Sequence, residues 1–223
     1  MKKIGILLSG GLDSTILLWK VVTENLTPHE IHIFQFNYGS CHAEKELQAS
    51  DGIFEIAKEA FKQHVFIKHR INLPFSTWGM ESGLLESQRN IPEGHYEDES
   101  MKKTVVPFRN GIMLAIACGV LKVGDLYYGG HNGDHAIYAD CRKSFVNAMD
   151  TCIREGTDND VNVIAPFVNI TKREIAKLGQ QLKAPISETW SCYNGEDAHC
   201  GLCGTCVERK EALLGFDTTT YRS

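Results

Sequence analysis

Apolar and polar positions alternate in two rhythms along the first seventy residues. Short apolar runs at residues 4–8, 31–36 and 65–71 predict strands, and the stretches between them, residues 13–25 and 42–61, repeat apolar side chains at the helical period. Strands that alternate with helices form βαβ units, in which the strands lie parallel and the helices pack on the sheet. The pattern therefore predicts an α/β fold with a doubly wound parallel sheet.

Residues 72–104 break this rhythm. They contain three glycines, two prolines and many acidic side chains. Loops of this length without regular structure are usually lids or disordered segments. We expect a lid that covers a substrate, with simple disorder as the alternative.

Regular periodicity resumes after this segment. It predicts two more helices and two more strands, over residues 108–123, 126–130, 141–155 and 161–167. Thr171, followed three residues later by Glu174, has the pattern of a capping box, which predicts the start of another helix.

Composition narrows the setting in which the chain works. It has 223 residues and a formal net charge of −5, which suits one main domain with a small appendage. No apolar run approaches the roughly 20 residues of a membrane span, and the start is too short for a secretory signal, so we expect a cytoplasmic protein and no membrane partner. The acidic balance disfavours nucleic acid and favours a small-molecule substrate.

The most informative string is SGGLDS at residues 9–14, between the first predicted strand and the first predicted helix. Adjacent glycines let the backbone approach a bulky anion, and the free N–H groups of a helix start point at it. A Walker-type loop would need a lysine where this chain has Leu12 and Asp13. An ordinary turn capped by Asp13 or Ser14 is the alternative. The string resembles the pyrophosphate-binding loop of the PP-loop ATP pyrophosphatases, which split ATP between its α and β phosphates.

That resemblance implies an ATP site around the loop. The implied contacts come from the strand end, the loop and the first helical turns: Leu8, Ser9, Gly10, Gly11, Leu12, Asp13, Ser14, Thr15, Ile16, Leu17 and Leu18. Phe36 and Tyr38, at the end of the second predicted strand, are expected to flank the adenine. Asp13 is an anion among anions, which makes sense if Mg²⁺ bridges it to the phosphates.

Four cysteines near the end of the chain have the spacing C-x7-C-x2-C-x2-C: Cys192, Cys200, Cys203 and Cys206. Four thiolates suit tetrahedral zinc and leave no open coordination position, so we predict a structural Zn²⁺ site. Free thiols are the alternative, and they would leave a short segment with no reason to fold. We divide the chain into an ATP-binding and catalytic domain, residues 1–188, with the lid at 72–104, and a zinc-binding segment, residues 189–223.

Further motifs lie between the loop and the cysteines. They are Tyr38-Gly39 followed by His42, VPFRN at residues 106–110, D-x3-YADCR at residues 134–142, and SCY at residues 191–193. In this order they resemble the 7-cyano-7-deazaguanine synthase (QueC) family over the whole chain. The resemblance implies a homodimeric, ATP-dependent ligase of queuosine biosynthesis. It would convert 7-carboxy-7-deazaguanine and ammonia into the nitrile preQ0 through an acyl adenylate and an amide.

Four polar residues are candidates for catalysis beside Asp13. Arg109 follows an extended segment, and its guanidinium could clamp a carboxylate or a phosphate; a surface arginine is the alternative. Asp140 could accept the N–H groups of a guanine-like ring or cap the helix that follows it, and Arg142 could meet the substrate carboxylate. His42 is a candidate for the ATP side or the ammonia side.

Two departures from the family pattern keep other functions open. Ser40 and Cys41 replace a glutamine and a basic residue before His42, and YADCR replaces Y-P-D-C-R. The first departure would suit an enzyme that adenylates the same acid and joins it to another amine, for example on a protein, in antiviral defence. A tRNA-thiolating PP-loop enzyme is disfavoured by the acidic charge. A zinc-dependent binding module without catalysis is disfavoured by the intact loop at residues 9–14.

The remaining cysteines have no ligand spacing. Cys118 and Cys152 are predicted to lie in the core, and a chemical role stays open for Cys41 and Cys141. One further loop invites a metal hypothesis, although we interpret it as a solvated polar loop: its residues are His131, Asp134 and His135.

Overall fold

The fold is a single parallel sheet between two layers of helices. The computed structural model describes residues 1–96, 98–158 and 160–222, with the side chain of Asp134 outside the described part. Five strands pair in the order β3-β2-β1-β4-β5, all parallel. They are β1 (Lys2–Leu7), β2 (His29–Asn37), β3 (Val65–Asn72), β4 (Gly124–Tyr127) and β5 (Val161–Ile164). The predicted doubly wound α/β sheet is confirmed.

The α-helices in the described ranges are α1 (Leu12–Glu24), α2 (Ala43–Ala60), α3 (Arg109–Leu121), α4 (Lys143–Gly156), α5 (Lys172–Gln181) and α6 (Gly204–Ala212). Short 3-10 turns lie at Glu86–Gln88, Glu99–Thr104, Asn132–Ala136, Ala139–Cys141 and Ile186–Glu188. Helix α5 begins with the predicted capping box, in which the Thr171 side chain accepts from the Glu174 N–H and the Glu174 carboxylate accepts from the Thr171 N–H. Helix α6 lies within residues 189–223, which we call the cysteine-rich segment, and it was not predicted from the sequence.

Both faces of the sheet are buried. Helices α1, α2, α5 and α6 share one apolar cluster with the sheet, and α3 and α4 share another. The neighbouring residues Ile33 and Phe34 belong to opposite clusters, and both have 0% exposure. This is why β2 reads as a continuous apolar run instead of an alternating one.

The order of the strands opens a crevice at the carboxyl end of β1. The chain leaves β1 toward β2 on one side, where Leu7 pairs with Phe34, and later adds β4 on the other side, where Ile6 pairs with Tyr127. Connections that diverge from one strand leave a gap outside its carboxyl end, and doubly wound sheets bind ligands there. Residues 8–11 lie at this gap, between β1 and α1.

The predicted lid segment packs over this edge of the sheet. Its side chains Leu73, Phe75, Leu84 and Leu85 are buried in a cluster that also contains Tyr38. The backbone adds two isolated bridges, Ser40 with Leu85 and Glu93 with Cys203. The segment therefore contacts both the sheet and the cysteine-rich segment, and its action as a lid stays a prediction.

One stretch, Glu99–Leu121, is long and apolar enough to cross a membrane by length and composition alone. Its second half is α3, whose buried side chains Leu114, Ala117 and Leu121 pack against the sheet. A helix that covers the face of a parallel sheet needs this apolar character. We therefore assign α3 to the core of the fold.

Arg209 fastens α6 to the rest of the chain. Its side chain has 1% exposure. The guanidinium donates to three hydroxyls and one carbonyl: Thr219 Oγ1 at 2.8 Å, Thr189 Oγ1 at 2.7 Å, Ser191 Oγ at 3.0 Å and Ile186 O at 3.1 Å. Because its partners come from two separate stretches of chain, the guanidinium joins α6 to residues 186–191 and to Thr219.

We expect Arg209→Lys to lower the free energy of unfolding by about 2–4 kcal/mol, because a single ammonium cannot satisfy the spread acceptors and leaves some of them buried without a partner. Urea denaturation followed by circular dichroism measures this change. Arg222→Lys is the matched control, since Arg222 is exposed and pairs with Glu196 at the surface. Equal losses in the two variants would contradict the role of the buried guanidinium.

Candidate active site

A cavity of about 210 Å³ opens at the carboxyl edge of the sheet. Its walls come from the ends of β1, β2 and β4, from the loop at residues 9–14, and from the starts of α3 and α5. The cysteine-rich segment closes one side. Polar or aromatic residues that line it include Asp13, Tyr38, His42, Glu46, Arg109, Lys172 and Tyr193.

The loop at residues 9–14 is built by glycine and serine. Gly10 has a φ of +82°, and a Cβ there would lie 2.6 Å from the Ser50 nitrogen, so only glycine fits. Gly11 is the N-cap of α1 and offers no side chain to it. The Ser9 hydroxyl instead accepts from the Gly11 N–H at 3.2 Å and lies 3.1 Å from the Ser14 hydroxyl. The alternative in which Asp13 or Ser14 caps the helix is wrong, because α1 begins directly after Gly11.

The start of α1 faces the cavity. Leu12, Asp13 and Ser14 all line it, and the first N–H groups of a helix have no partner within the helix. Gly129, after β4, passes so close that a Cβ there would lie 3.4 Å from the Ser14 nitrogen. The missing side chain keeps this helix end open to an anion, which the helix dipole favours.

Four residues form what we call the charged cluster: Asp13, His131, Lys172 and Glu208. The Lys172 ammonium lies 3.1 Å from Asp13 Oδ2 and 2.8 Å from Glu208 Oε2. His131 Nε2 lies 3.7 Å from Asp13 Oδ2 and 3.9 Å from Glu208 Oε1. His131 Nδ1 accepts from the Gly133 N–H at 3.1 Å, which places the proton of a neutral ring on Nε2, toward both carboxylates.

The charged cluster corrects one sequence interpretation. His131 has 1% side-chain exposure, so the solvated loop that we inferred is wrong at this position. His135 is half-buried and contributes its carbonyl to Arg142 at 2.9 Å. Among the side chains that the structure describes, three or more metal-ligating groups meet only at the four cysteines.

Arg109 enters the cavity from a strained turn. Phe108, the N-cap of α3, takes the left-handed conformation with a φ of 56°, which costs roughly 1–2 kcal/mol for a residue with a side chain. Arg109 then donates from Nη1 to the Tyr38 hydroxyl at 2.9 Å. Burial opposes the charge of Arg109, but its acidic neighbours, the carboxylates of Asp140 and Glu46 among them, raise its pKa well above its ordinary value. The result is a charged guanidinium at the wall of the cavity.

The phenols around Arg109 are neutral. Burial raises the pKa of Tyr38 to about 12, against the opposing effect of Arg109. Burial also raises the pKa of Tyr193, which comes from the cysteine-rich segment, well above its ordinary value. Arg109 therefore keeps its positive charge for an incoming anion instead of sharing it with a phenolate.

Asp140 caps a helix other than the one that we expected. Its Oδ2 accepts from the Asn110 N–H at 2.9 Å, in the first turn of α3, whereas α4 begins after Arg142 without a side-chain cap. Arg142 is exposed, and its Nε donates to the His135 carbonyl. Asp140 lies beside the cavity and Arg142 outside its lining. The substrate roles of both residues stay predictions.

His42 lies on the opposite wall, at the N-cap of α2. It is buried, with Nε2 at 3.5 Å from Glu46 Oε1 and its ring 5.1 Å from that of Tyr193. Within the described residues, its Nδ1 is a buried atom without a hydrogen-bond partner. Phe36 and Tyr38 line the cavity nearby, as a wall beside an adenine would require.

The structure separates the implied ATP residues into two groups. Leu8, Ser9, Gly11, Leu12, Asp13 and Ser14 line the cavity. The side chains farther along α1 are buried in the core with 0% exposure: Thr15, Ile16, Leu17 and Leu18. Gly10 packs its backbone against α2. Direct contacts from the buried group stay predictions.

Sequence reasoning missed Lys172, Glu46 and Glu208. A signal for Lys172 was present, because a cation in the first turn of α5 opposes the helix dipole and so needs a compensating partner. Glu208 gave no such signal. It lies between two motif residues, Cys206 and Arg209, and only the fold brings it to Lys172.

The four predicted zinc ligands converge. Their sulfur atoms all lie within 4.8 Å of one another, and all four residues are buried: Cys192, Cys200, Cys203 and Cys206. The sulfurs of Cys200 and Cys206 are 3.9 Å apart, close to the edge of about 3.8 Å that a tetrahedron with 2.3 Å zinc–sulfur bonds has. Hydrogen bonds from Cys192 and Cys206 lower the pKa of Cys203. His199 instead accepts from the Ser191 N–H at 3.1 Å.

The other cysteines differ in exposure. Cys152 is exposed, so its predicted place in the core is wrong, and Cys118 is half-buried beside the core. Burial raises the pKa of Cys41 to about 11, which keeps its thiol protonated at neutral pH and a poor nucleophile. Cys141 is buried in the cavity wall, where its sulfur accepts from the Asn110 amide at 3.4 Å.

Comparison with solved structures finds a fold-level likeness to the U34-tRNA thiolase NcsA from Methanococcus maripaludis with its [4Fe-4S] cluster. The TM-score is 0.46 and the sequence identity 15%, with 82% of this chain and 58% of that chain covered. The chain thus spans little more than half the length of that protein. No functional conclusion is drawn from this likeness.

Curated relatives match far more closely. A 7-cyano-7-deazaguanine synthase from Desulfotalea psychrophila is 45% identical over 97% of both chains. Proteins of the same name from Porphyromonas gingivalis and Caldicellulosiruptor saccharolyticus are 44% and 42% identical, over 93% of this chain and 90% and 89% of theirs. The family model described as "Queuosine biosynthesis protein QueC" matches residues 3–217. The chain belongs to the QueC family.

Proposed function

We propose that this chain makes 7-cyano-7-deazaguanine (preQ0) from 7-carboxy-7-deazaguanine, ammonia and ATP, and that it does so as a carbon–nitrogen bond-forming ligase. The observation that carries the proposal is the open start of α1, with Asp13, in a chain 42–45% identical to three proteins named 7-cyano-7-deazaguanine synthase. Charged and aromatic side chains line the cavity together, which suits a flat, charged heterocycle.

The chemistry explains the need for ATP. A carboxylate oxygen leaves poorly, so it first attacks the α-phosphorus of ATP, and pyrophosphate departs to leave an acyl adenylate. Ammonia attacks the acyl carbon, AMP departs with the former carboxylate oxygen, and one proton is released as the amide forms. The amide oxygen attacks a second ATP in the same way. Loss of AMP and of both protons of the amide nitrogen then leaves the nitrile.

The start of α1 is suited to the departing pyrophosphate. Its N–H groups and the Ser9 and Ser14 hydroxyls are donors fixed before the reaction, which is how electrostatic stabilisation becomes effective. Asp13 Oδ1 is buried and has no hydrogen-bond partner in the described part of the chain, so it fits a hard cation such as Mg²⁺. That ion would offset phosphate charge when bound. Lys172, 3.1 Å from Asp13, adds a fixed positive charge beside it.

Arg109 is suited to the substrate carboxylate. It keeps its charge between neutral phenols, and its position across from the α1 start would hold the acid near the α-phosphorus. His42, with Glu46 behind its Nε2, is placed to accept the proton that ammonia loses. Asp140 and Arg142 remain proposed contacts to the base and carboxylate.

The cysteine cluster has a structural role in this proposal. A zinc ion on four thiolates keeps no open position for a water or substrate, so it would hold α6 and Tyr193 in place. Binding of the metal requires that the thiols lose their protons. We propose a homodimer on the family resemblance alone.

The other functions that the sequence left open are not favoured. The family match runs over residues 3–217, and the relatives named above are synthases of the nitrile. Ser40 and Cys41, the departure that suggested another amine acceptor, are accommodated in the fold through a bridge to Leu85 and a hydrogen bond to the Leu84 carbonyl at 2.8 Å. The Cys41 thiol is protonated at neutral pH, which weakens a thiolation chemistry at this position.

Incubation of the protein with 7-carboxy-7-deazaguanine, MgATP and ammonium tests the function, with products followed by mass spectrometry. We expect the nitrile, with two AMP and two pyrophosphate per molecule. Products that stop at the amide or the adenylate would contradict nitrile synthesis and return the acid-activating alternative.

Asp13→Asn is the matched variant for this assay, because it keeps the shape of the side chain and removes its charge. We expect turnover to fall at least about 100-fold, since the variant loses a metal ligand and a partner of Lys172. Circular dichroism checks that the fold is unchanged. Turnover like that of the unmodified protein would remove Asp13 from the mechanism.

Arg109→Ala should lower kcat/KM for the acid by about 10- to 100-fold, mostly through KM, because a charge-assisted hydrogen bond of about 1.5–3 kcal/mol is lost. Arg142→Ala gives the comparison. Arg142 is exposed and lies outside the cavity lining, so we expect the smaller change there. The opposite order of effects would assign the substrate carboxylate to Arg142.

Cys203→Ser should abolish tight zinc binding and lower the midpoint of thermal unfolding, because three thiolates and a hydroxyl make a poorer site and the segment depends on its metal. Native mass spectrometry and thermal scanning measure the two effects. Cys152→Ser, at an exposed cysteine outside the cluster, is the control. Unchanged zinc content in Cys203→Ser would contradict the site.

A further inference from the structure

We propose that Glu208, a residue of the cysteine-rich segment, is a positioning residue for the nucleotide site that acts through Lys172. The inference rests on the proposed ATP-dependent function and extends it to the cysteine-rich segment, which otherwise has a structural role in that proposal. Glu208 itself lies outside the cavity lining, whereas Lys172 and Asp13 line it. Its influence on a nucleotide therefore passes through Lys172, which it contacts at 2.8 Å.

The contacts of Lys172 carry the first step. Its ammonium lies 2.8 Å from Glu208 and 3.1 Å from Asp13, and the three side chains have 12%, 11% and 20% exposure for Glu208, Lys172 and Asp13. Lys172 is the first residue of α5, where the helix dipole disfavours a cation. The two carboxylates offset this penalty and hold a flexible side chain in one place.

The two carboxylates have different duties when nucleotide is bound. In the proposed mechanism Asp13 Oδ1 would hold Mg²⁺, and the charge of the bound cation would weaken the attraction between Asp13 and Lys172. Glu208 then remains to hold the ammonium beside the start of α1. A lysine loses several rotatable bonds on being ordered, at a cost of up to about 2 kcal/mol, so a partner that orders it beforehand improves nucleotide binding.

The cysteine cluster sets the position of Glu208. Helix α6 begins directly after Cys203 and includes Cys206, and Arg209, next to Glu208, is fixed by four hydrogen bonds. The carboxylate is thus carried on a turn of helix that is held on both sides. The fourth member of the charged cluster, His131, has its Nε2 at 3.9 Å from Glu208 Oε1.

The sign of the expected effect separates positioning from simple electrostatics. Glu208 is negative and so is ATP, so removal of a bystander charge would tighten nucleotide binding or leave it unchanged. Removal of a positioning residue weakens binding instead. Glu208→Gln keeps the size of the side chain and removes the charge, which makes the direction of the change the result to read.

The experiment measures binding of the ATP analogue that carries a methylene group between its α and β phosphorus atoms, with Mg²⁺, by isothermal titration calorimetry. We expect Glu208→Gln to raise Kd about tenfold, with zinc content unchanged. Glu208→Asp should recover part of the affinity. Glu211→Gln is the matched control, because Glu211 lies on the same helix and contacts His95 at the surface. Tighter or unchanged binding in Glu208→Gln overturns the proposal.

A double substitution tests the route through Lys172. In a Lys172→Met background, Glu208→Gln should change the Kd of the same analogue less than twofold, because the group that it positions is already gone. A further tenfold loss there would overturn the route. Binding of the analogue is read without turnover, so absence of nitrile in the unmodified protein would contradict the proposed function and leave the test of Glu208 intact.

Discussion

The site depends on one constraint, the divergence of the chain on the two sides of β1. Because β2 and β4 flank β1 and their connections leave in different directions, the carboxyl end of β1 opens onto a gap instead of a packed loop. Gly10, with a φ of +82° and its Cα packed against α2, turns the chain sharply enough for α1 to start in that gap. A side chain at Gly10 would collide with α2, and a side chain at Gly129 would lie against the Ser14 nitrogen, so glycine at both positions lets the turn form with the start of α1 open.

A second consequence is the balance of charge around the gap. Positive groups converge there: the α1 start, Arg109 and Lys172. The two side chains are held by neighbours that leave their charge available. Arg109 is held by a neutral phenol, and Lys172 by the carboxylates of Asp13 and Glu208. A site of this kind needs little reorganisation when phosphate arrives, which is the condition for strong electrostatic stabilisation. The overall acidic charge of the chain therefore does not oppose nucleotide binding, since local placement decides the field.

Much of this was accessible from the sequence. The strands, most helices, the loop at residues 9–14 and the cysteine ligands follow from local patterns, because apolar period, glycine pairs and ligand spacing are local properties. Partners of side chains are not local. Asp140 caps α3, whereas the capping alternative from the sequence concerned the helix after it, and His131 was interpreted as solvated although it is buried beside a residue of α6. Helix α6 itself was missed because it has few apolar side chains. Cysteine packing and the hydrogen bonds of Arg209 fix this helix, whereas a long apolar face fixes the other helices.

The position of the cysteine-rich segment beside the cavity gives this short segment a part in the site. A segment that only stabilised the fold could lie anywhere on the surface. Here the segment contributes Tyr193 to the cavity wall and places Glu208 beside Lys172 and His131, so two of its side chains reach the site from one fixed unit. A stretch this short cannot form an apolar core large enough to fix them. Four buried thiols and a buried arginine supply the rigidity that the apolar content does not. They hold Tyr193 and Glu208 in place near the start of α1.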